Sequence, residues 1–143
     1  MIHILVGTNR TGSRSEEVAQ FIKPLYEAEG QEVTIMNIAD VGLEDLANDS
    51  YGESENKPAK INKAVDELLH SEGLVVICPE YNGSMPGALK YFIDHWKYPD
   101  SFEHRPVAFI GLGGMFGGLR PVEHLQQVFG YRNASLPDRR VTE

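Results

Sequence analysis

Ile2-His3-Ile4-Leu5-Val6-Gly7-Thr8-Asn9-Arg10-Thr11-Gly12-Ser13-Arg14-Ser15-Glu16-Glu17 is the stretch whose reading decides the fold. Residues 2–6 are a short apolar run of strand length, and residues 7–15 form a turn rich in glycine and hydroxyls. Residues 15–29 then take up a helical period, with Val18, Ala19, Phe21, Ile22, Leu25 and Tyr26 on one stripe and acidic Glu16 and Glu17 in the first turn, where the helix dipole favours them. Gly30 stops that helix. The same succession recurs along the chain. Strands are expected at 33–38, 74–78 and 107–110, with a weaker fifth around 132–136. Helices are expected at 60–70, carrying Ile61, Ala64, Val65, Leu68 and Leu69, at 88–96 behind Pro86, and at 119–129, closed by Gly130. Short apolar strands alternating with crossover helices predict an α/β fold built on a parallel sheet.

The chain of 143 residues suits a single domain spanning residues 1–143. Its one cysteine excludes a disulfide framework. The longest apolar run, Leu74-Val75-Val76-Ile77-Cys78, is far below the roughly 20 residues of a membrane span, and the N-terminus lacks the succession of a secretory signal. The expectation is a cytoplasmic protein with no membrane partner. With 13 basic against 21 acidic residues the net charge is −8, which argues against nucleic acid as a partner. A local anion site is still compatible with that charge, because screening confines attraction to about 8 Å at physiological salt. There is no internal repeat and no low-complexity tract. The acidic connection at 39–58 reads as a solvated loop, with a lid as the alternative.

In a doubly wound sheet, ligands bind beyond the carboxyl ends of the strands at the topological switch point. Three loops meet that description. The turn after the first strand offers successive N–H groups, a helix N-terminus, the hydroxyls of Thr8, Ser13 and Ser15, and the charge of Arg10, which together suit a phosphate. It is not a dinucleotide fingerprint, since Asn9 stands where G-x-G-x-x-G needs glycine. It is not a P-loop either, because Ser13 and Arg14 occupy the lysine and Ser/Thr positions. A terminal monophosphate held without metal is the reading left, beside the plainer one of a capped helix start. After the third strand comes Pro79-Glu80-Tyr81-Asn82-Gly83-Ser84-Met85-Pro86-Gly87. After the fourth, residues 111–118 hold five glycines. Such loops let backbone approach a flat ligand closely.

These segments, Gly7-Thr8-x-Arg10-x-x-Ser13-x-Ser15, Pro79-Glu80-Tyr81-Asn82-Gly83-Ser84-x-Pro86-Gly87-Ala88-Leu89-Lys90 and the 111–118 loop, resemble the NADPH-dependent FMN reductase family over residues 1 to about 130. That flavodoxin-like group includes quinone, chromate and azo reductases. The resemblance implies a flavodoxin-like three-layer sandwich with a five-stranded parallel sheet in the order 2-1-3-4-5. It implies FMN as cofactor and NADPH or NADH as hydride donor. Thr8, Arg10, Gly12, Ser13 and Ser15 would hold the phosphate; Pro79, Glu80, Tyr81, Asn82 and Gly83 would line isoalloxazine and ribityl; Gly111, Gly113 and Gly114 would border the ring. It also implies a homodimer or homotetramer with the flavin near the subunit contact. Members of the family continue into a closing C-terminal helix, whereas this sequence stops at Glu143. The closing helix is therefore expected to be absent, leaving apolar surface beside Val18, Phe21 and Leu25, and the preferred explanation is that residues are missing.

No catalytic residue is expected. Hydride transfer from nicotinamide to flavin needs two rings at contact, not a protein nucleophile or base. The reading is thus an oxidoreductase passing hydride through FMN to a small-molecule acceptor: flavin, a quinone, an azo or nitro compound, or a metal oxyanion. The alternative is a flavodoxin-type electron carrier, for which the fourth-strand loop offers only Phe116 among glycines; an FMN-free interaction module is the third reading. Cys78 reads as a core residue. Glu80 reads as a loop carboxylate rather than a general acid. His3, His70, His95, His104 and His124 lack metal-ligand spacing and read as surface or packing. Tyr91, Phe92, His95, Trp96 and Tyr98 read as core plus subunit interface.

Overall fold

A computed structural model describes residues 1–43, 59–103 and 105–130. Four strands, β1 (Ile2–Val6), β2 (Val33–Asn37), β3 (Gly73–Pro79) and β4 (Val107–Leu112), form one parallel sheet in the order β2-β1-β3-β4. Four helices accompany them: α1 (Arg14–Ala28), α2 (Ala59–Leu69), α3 (Gly87–Asp94) and α4 (Leu119–Gly130). The strand order is that of the flavodoxin-like fold. The expected fifth strand, most of the 39–58 connection and His104 lie outside the described residues. Among the described residues, no helix is long and apolar enough to cross a membrane.

The two faces of the sheet are packed differently. Side chains alternate along a strand, so Ile4, Val6, Val75 and Ile77 meet Ala19 of α1 on one face. Leu5, Leu74, Val76 and Cys78 meet α2, α3 and α4 on the other, through Ile61, Leu68, Leu89, Phe92, Leu125 and Phe129. Burial on both faces is why β3 is a continuous apolar run rather than an alternating one. Phe129 anchors the aromatic side of this core, with Trp96, Phe102 and Phe109 all within 5.6 Å between ring centroids. Arg105, only 5% exposed, closes the core edge by donating to the carbonyls of Leu68 and Ser101. Burial brings its pKa down to about 10.

Several expected boundaries shift for local reasons. Asn37 ends β2 because its Oδ1 accepts from Ala39 N at 3.0 Å and starts a 3-10 turn at Ile38–Asp40. β4 runs on to Leu112 because Cys78 and Pro79 pair with Gly111 and Leu112. Pro86 is the N-cap of α3, which runs over Gly87–Asp94 where 88–96 was expected. The apolar stripe of α1 is divided: Ala19 is buried, Val18, Ile22 and Tyr26 are half-buried, but Phe21 and Leu25 are 70% and 55% exposed.

Candidate functional site

Three loops leave the carboxyl ends of β1, β3 and β4 side by side, because β1, β3 and β4 are neighbours in the sheet. They enclose an open cleft of about 610 Å³. Gly7 permits a close approach of backbone at the start of the first loop. A Cβ there would lie 2.8 Å from the Ile77 carbonyl oxygen and 2.9 Å from Leu89 Cδ2, so only glycine lets the β1 loop turn over β3 and α3.

Arg10, Gly12, Ser13 and Ser15 all line the cleft. Gly12 has a φ of +61° and open space where a side chain would stand. Ser13 caps α1, its Oγ accepting from Glu16 N at 3.2 Å. Ser15 is 1% exposed and its Oγ has no hydrogen-bond partner. A buried hydroxyl without a partner costs about 1–3 kcal/mol, and an anion at this helix N-terminus would satisfy it. Arg14, which is outside the residues the resemblance implies, also lines the cleft, as does Glu17. Two guanidinium groups therefore face one carboxylate at this end.

Thr8 is not among the lining residues. It is wholly buried, its Oγ1 lies 2.7 Å from Tyr81 Oη, and it accepts from Arg10 N at 3.2 Å. Thr8 thus ties the first loop to the third behind the cleft wall and orients both Arg10 and Tyr81. Thr8, expected from the resemblance to hold the phosphate, thus stands directly behind Arg10 in the loop.

Pro79, Glu80 and Tyr81 line the cleft from the β3 loop. Asn82 and Gly83 do not, because they form the tip of a tight turn. Both have positive φ, +51° and +80°, and Tyr81 and Ser84 exchange backbone hydrogen bonds across them. That is the conformation an Asn-Gly pair favours. The turn is tied to α4, since Ser84 Oγ lies 2.7 Å from His124 Nδ1. Glu80 N donates to the Leu112 carbonyl at 2.7 Å, while Glu80 Oε2 is buried without a partner. That oxygen is an acceptor awaiting a donor on whatever fills the cleft.

Gly111, Gly113, Gly114 and Gly117 complete the wall. A Cβ on Gly111 would lie 2.2 Å from the Gly118 carbonyl oxygen, and one on Gly113 would lie 3.1 Å from Glu80 Oε2. At Gly111 and Gly113 the loop folds back on its own strand with no space for side chains, whereas Gly114 and Gly117 face open space. Leu112 and Gly117 are lining residues that sequence reasoning passed over; Gly117 carried the signal, being one of the five glycines. Cys78 is fully buried behind this wall, and desolvation pushes its thiol up to about 12, which keeps it a neutral thiol at neutral pH.

The cleft fits a flavin mononucleotide on its own chemistry. One end presents a helix N-terminus, an unsatisfied hydroxyl and two arginines to a phosphate. The other presents glycine backbone to a planar ring and a carboxylate acceptor to an imide N–H.

Comparison with known proteins points to the same cofactor. A family model described as NADPH-dependent FMN reductase matches residues 1–141. The quinone reductase of Escherichia coli is 30% identical over 139 residues, covering 94% of this chain and 72% of that protein. The FMN-dependent NADPH-azoreductase of Staphylococcus saprophyticus is 27% identical over 126 residues, 87% of this chain and 66% of that protein. Among solved structures, the flavoenzyme NAD(P)H:(acceptor) oxidoreductase FerB of Paracoccus denitrificans superposes with a TM-score of 0.73 at 22% identity, covering 99% of this chain and 76% of its own.

Proposed function

The chain belongs to the NADPH-dependent FMN reductase family, and from that premise we propose how its residues perform an FMN-dependent transfer of hydride from NAD(P)H to a small acceptor. FMN supplies a two-electron centre that accepts hydride and passes reducing equivalents on. The overall balance is simple. NAD(P)H gives up a hydride, one solvent proton joins it, and a quinone leaves as hydroquinone.

The chain's own part is to bind, orient and keep one ring face open. Arg10 and Arg14 with Ser13, Ser15 and the start of α1 hold the phosphate, while Thr8 fixes the loop that carries Arg10. Pro79, Glu80 and Tyr81 flank the ring, with Asn82 and Gly83 shaping their turn. Gly111, Gly113 and Gly114 give its opposite edge a flat bed of backbone. Backbone N–H groups of these loops would favour negative charge on a flavin held there. No described side chain is placed as nucleophile or general base, which suits a reaction that needs only ring-to-ring contact.

The observation that carries this reading is the convergence of the three loops on one cleft, with Ser15 Oγ and Glu80 Oε2 left unsatisfied at its two ends. Anaerobic mixing of the FMN-loaded protein with NADPH should bleach the flavin band at about 450 nm. Persistence of that band with both NADPH and NADH overturns the reading. The same reading takes residues 1–143 as one FMN-binding domain in the cytoplasm, working as a homodimer or homotetramer. Exposed apolar side chains such as Phe21, Leu25 and Tyr98 support self-association, and sedimentation of the holoprotein at half and full micromolar loading reads the assembly state directly.

A further inference from the structure

A chain of hydrogen bonds links the ring end of the cleft to its phosphate end, and it starts at a residue that lines neither. His124 stands half-buried in the second turn of α4, outside the cleft lining. Its Nδ1 lies 2.7 Å from Ser84 Oγ. Ser84 exchanges backbone hydrogen bonds with Tyr81, at 2.9 and 3.2 Å. Tyr81 Oη lies 2.7 Å from Thr8 Oγ1, and Thr8 Oγ1 accepts from Arg10 N at 3.2 Å. The chain thus joins α4 to the β3 loop, and the β3 loop to the one that carries Arg10.

Each link restrains a part that local structure leaves loose. Tyr81 is 37% exposed, so packing alone does not fix its ring. The turn that carries it is closed by a single bridge between Tyr81 and Ser84, and so short a hairpin is marginal in isolation. Its seat is one face of α4. His124 holds Ser84, while Arg120, four residues earlier on that face, has Nη1 3.1 Å from where a Cβ on Gly83 would stand. A side chain ordered only when ligand arrives lowers affinity, and one ordered beforehand does not. The Ser84–His124 pair forms with either histidine tautomer, since a hydroxyl both donates and accepts.

We propose that His124 is a positioning residue for flavin binding. Through Ser84 it fixes the β3 turn, and so sets Tyr81 against the ring and, by way of Thr8, Arg10 against the phosphate. The proposal rests on the FMN reading of the cleft. It adds no chemical step: His124 acts through the turn and exchanges neither proton nor electron with the cofactor.

The test is a double-mutant cycle on the full chain, with FMN affinity read by flavin fluorescence titration. His124→Ala and Tyr81→Phe should each weaken FMN about fivefold. The double variant should be little weaker than either, because breaking any one link releases the same turn. In His124→Asn the side-chain amide still pairs with the Ser84 hydroxyl, and most of the affinity should return. The visible circular dichroism of the bound flavin, which reports fixed surroundings of the ring, should fall in His124→Ala and recover in His124→Asn. Losses that multiply independently overturn the proposal, as does an unchanged flavin dichroism in His124→Ala. A merely structural His124 would lower the urea midpoint yet leave FMN affinity without denaturant unchanged, and that outcome overturns it too. If the wild-type chain binds no FMN, the cleft reading fails and takes this proposal with it; wild-type binding that His124→Ala leaves intact overturns this proposal alone.

Discussion

Arg10 is a cleft-lining side chain beside the orphaned Ser15 hydroxyl, so its replacement should be felt by one end of the cofactor only. Arg10→Ala should weaken FMN about tenfold or more and riboflavin much less, as read by flavin fluorescence titration; equal losses would remove Arg10 from the phosphate. Gly111→Ala tests the opposite wall. Its Cβ would meet the Gly118 carbonyl oxygen at 2.2 Å and Val122 Cγ2 at 2.8 Å, and the first of these is backbone. The expected cost is about 2–3 kcal/mol in urea unfolding, together with loss of FMN. Arg105→Ala would leave the carbonyls of Leu68 and Ser101 buried without their donors, and about 3 kcal/mol should be lost. At this scale the glycines and Ser15 were legible because turn chemistry and helix starts carry local signals. The buried orphan at Glu80 and the strained Phe116 were not, since neither residue type announces an unpaired oxygen or a positive φ.

Among the elements, α1 depends on Ser13, whose side chain accepts from Glu16 N, and Ser13→Ala should lower stability by about 1 kcal/mol. Thermal denaturation with and without FMN would show whether that loss is regained when a phosphate takes over the helix start. The sequence read the elements well where one period dominated: β1 stands where residues 2–6 predicted it, and α2 and α4 lie within one residue of the expected bounds. It read them less well where partners decide. β3 and β4 each extend because pairing continues between them to Pro79 and Leu112, which is a property of register and not of either strand alone. The α1 stripe is apolar throughout, yet only part of it is covered: Phe21 and Leu25 face outward, at the surface that the sequence reading expected to be left open.

For the whole molecule, His3 couples stability to pH. It lies at the start of the central strand β1, 1% exposed, with Nδ1 unpartnered. Desolvation lowers its pKa from 6.5, with Arg105 and the N-terminus acting in the same sense and Glu67 opposing them. The folded chain therefore holds His3 neutral, while the unfolded chain takes up a proton below its ordinary value. Stability should be undiminished above pH 6.5 and decline as pH falls from there towards the lowered value. Urea midpoints across that window, set against a His3→Leu variant with a flatter profile, measure it. The order β2-β1-β3-β4 has one more consequence, in time rather than in energy. The strand at the centre is the first to be synthesised, yet Ile2 pairs with Gly73. At about 5–20 residues per second of synthesis, β1 must wait several seconds for that edge to be covered. An apolar strand with a bare hydrogen-bonding edge is the species most prone to mispair during the delay. Slower translation ahead of β3 should thus lower the yield of native protein more than slower translation after β4.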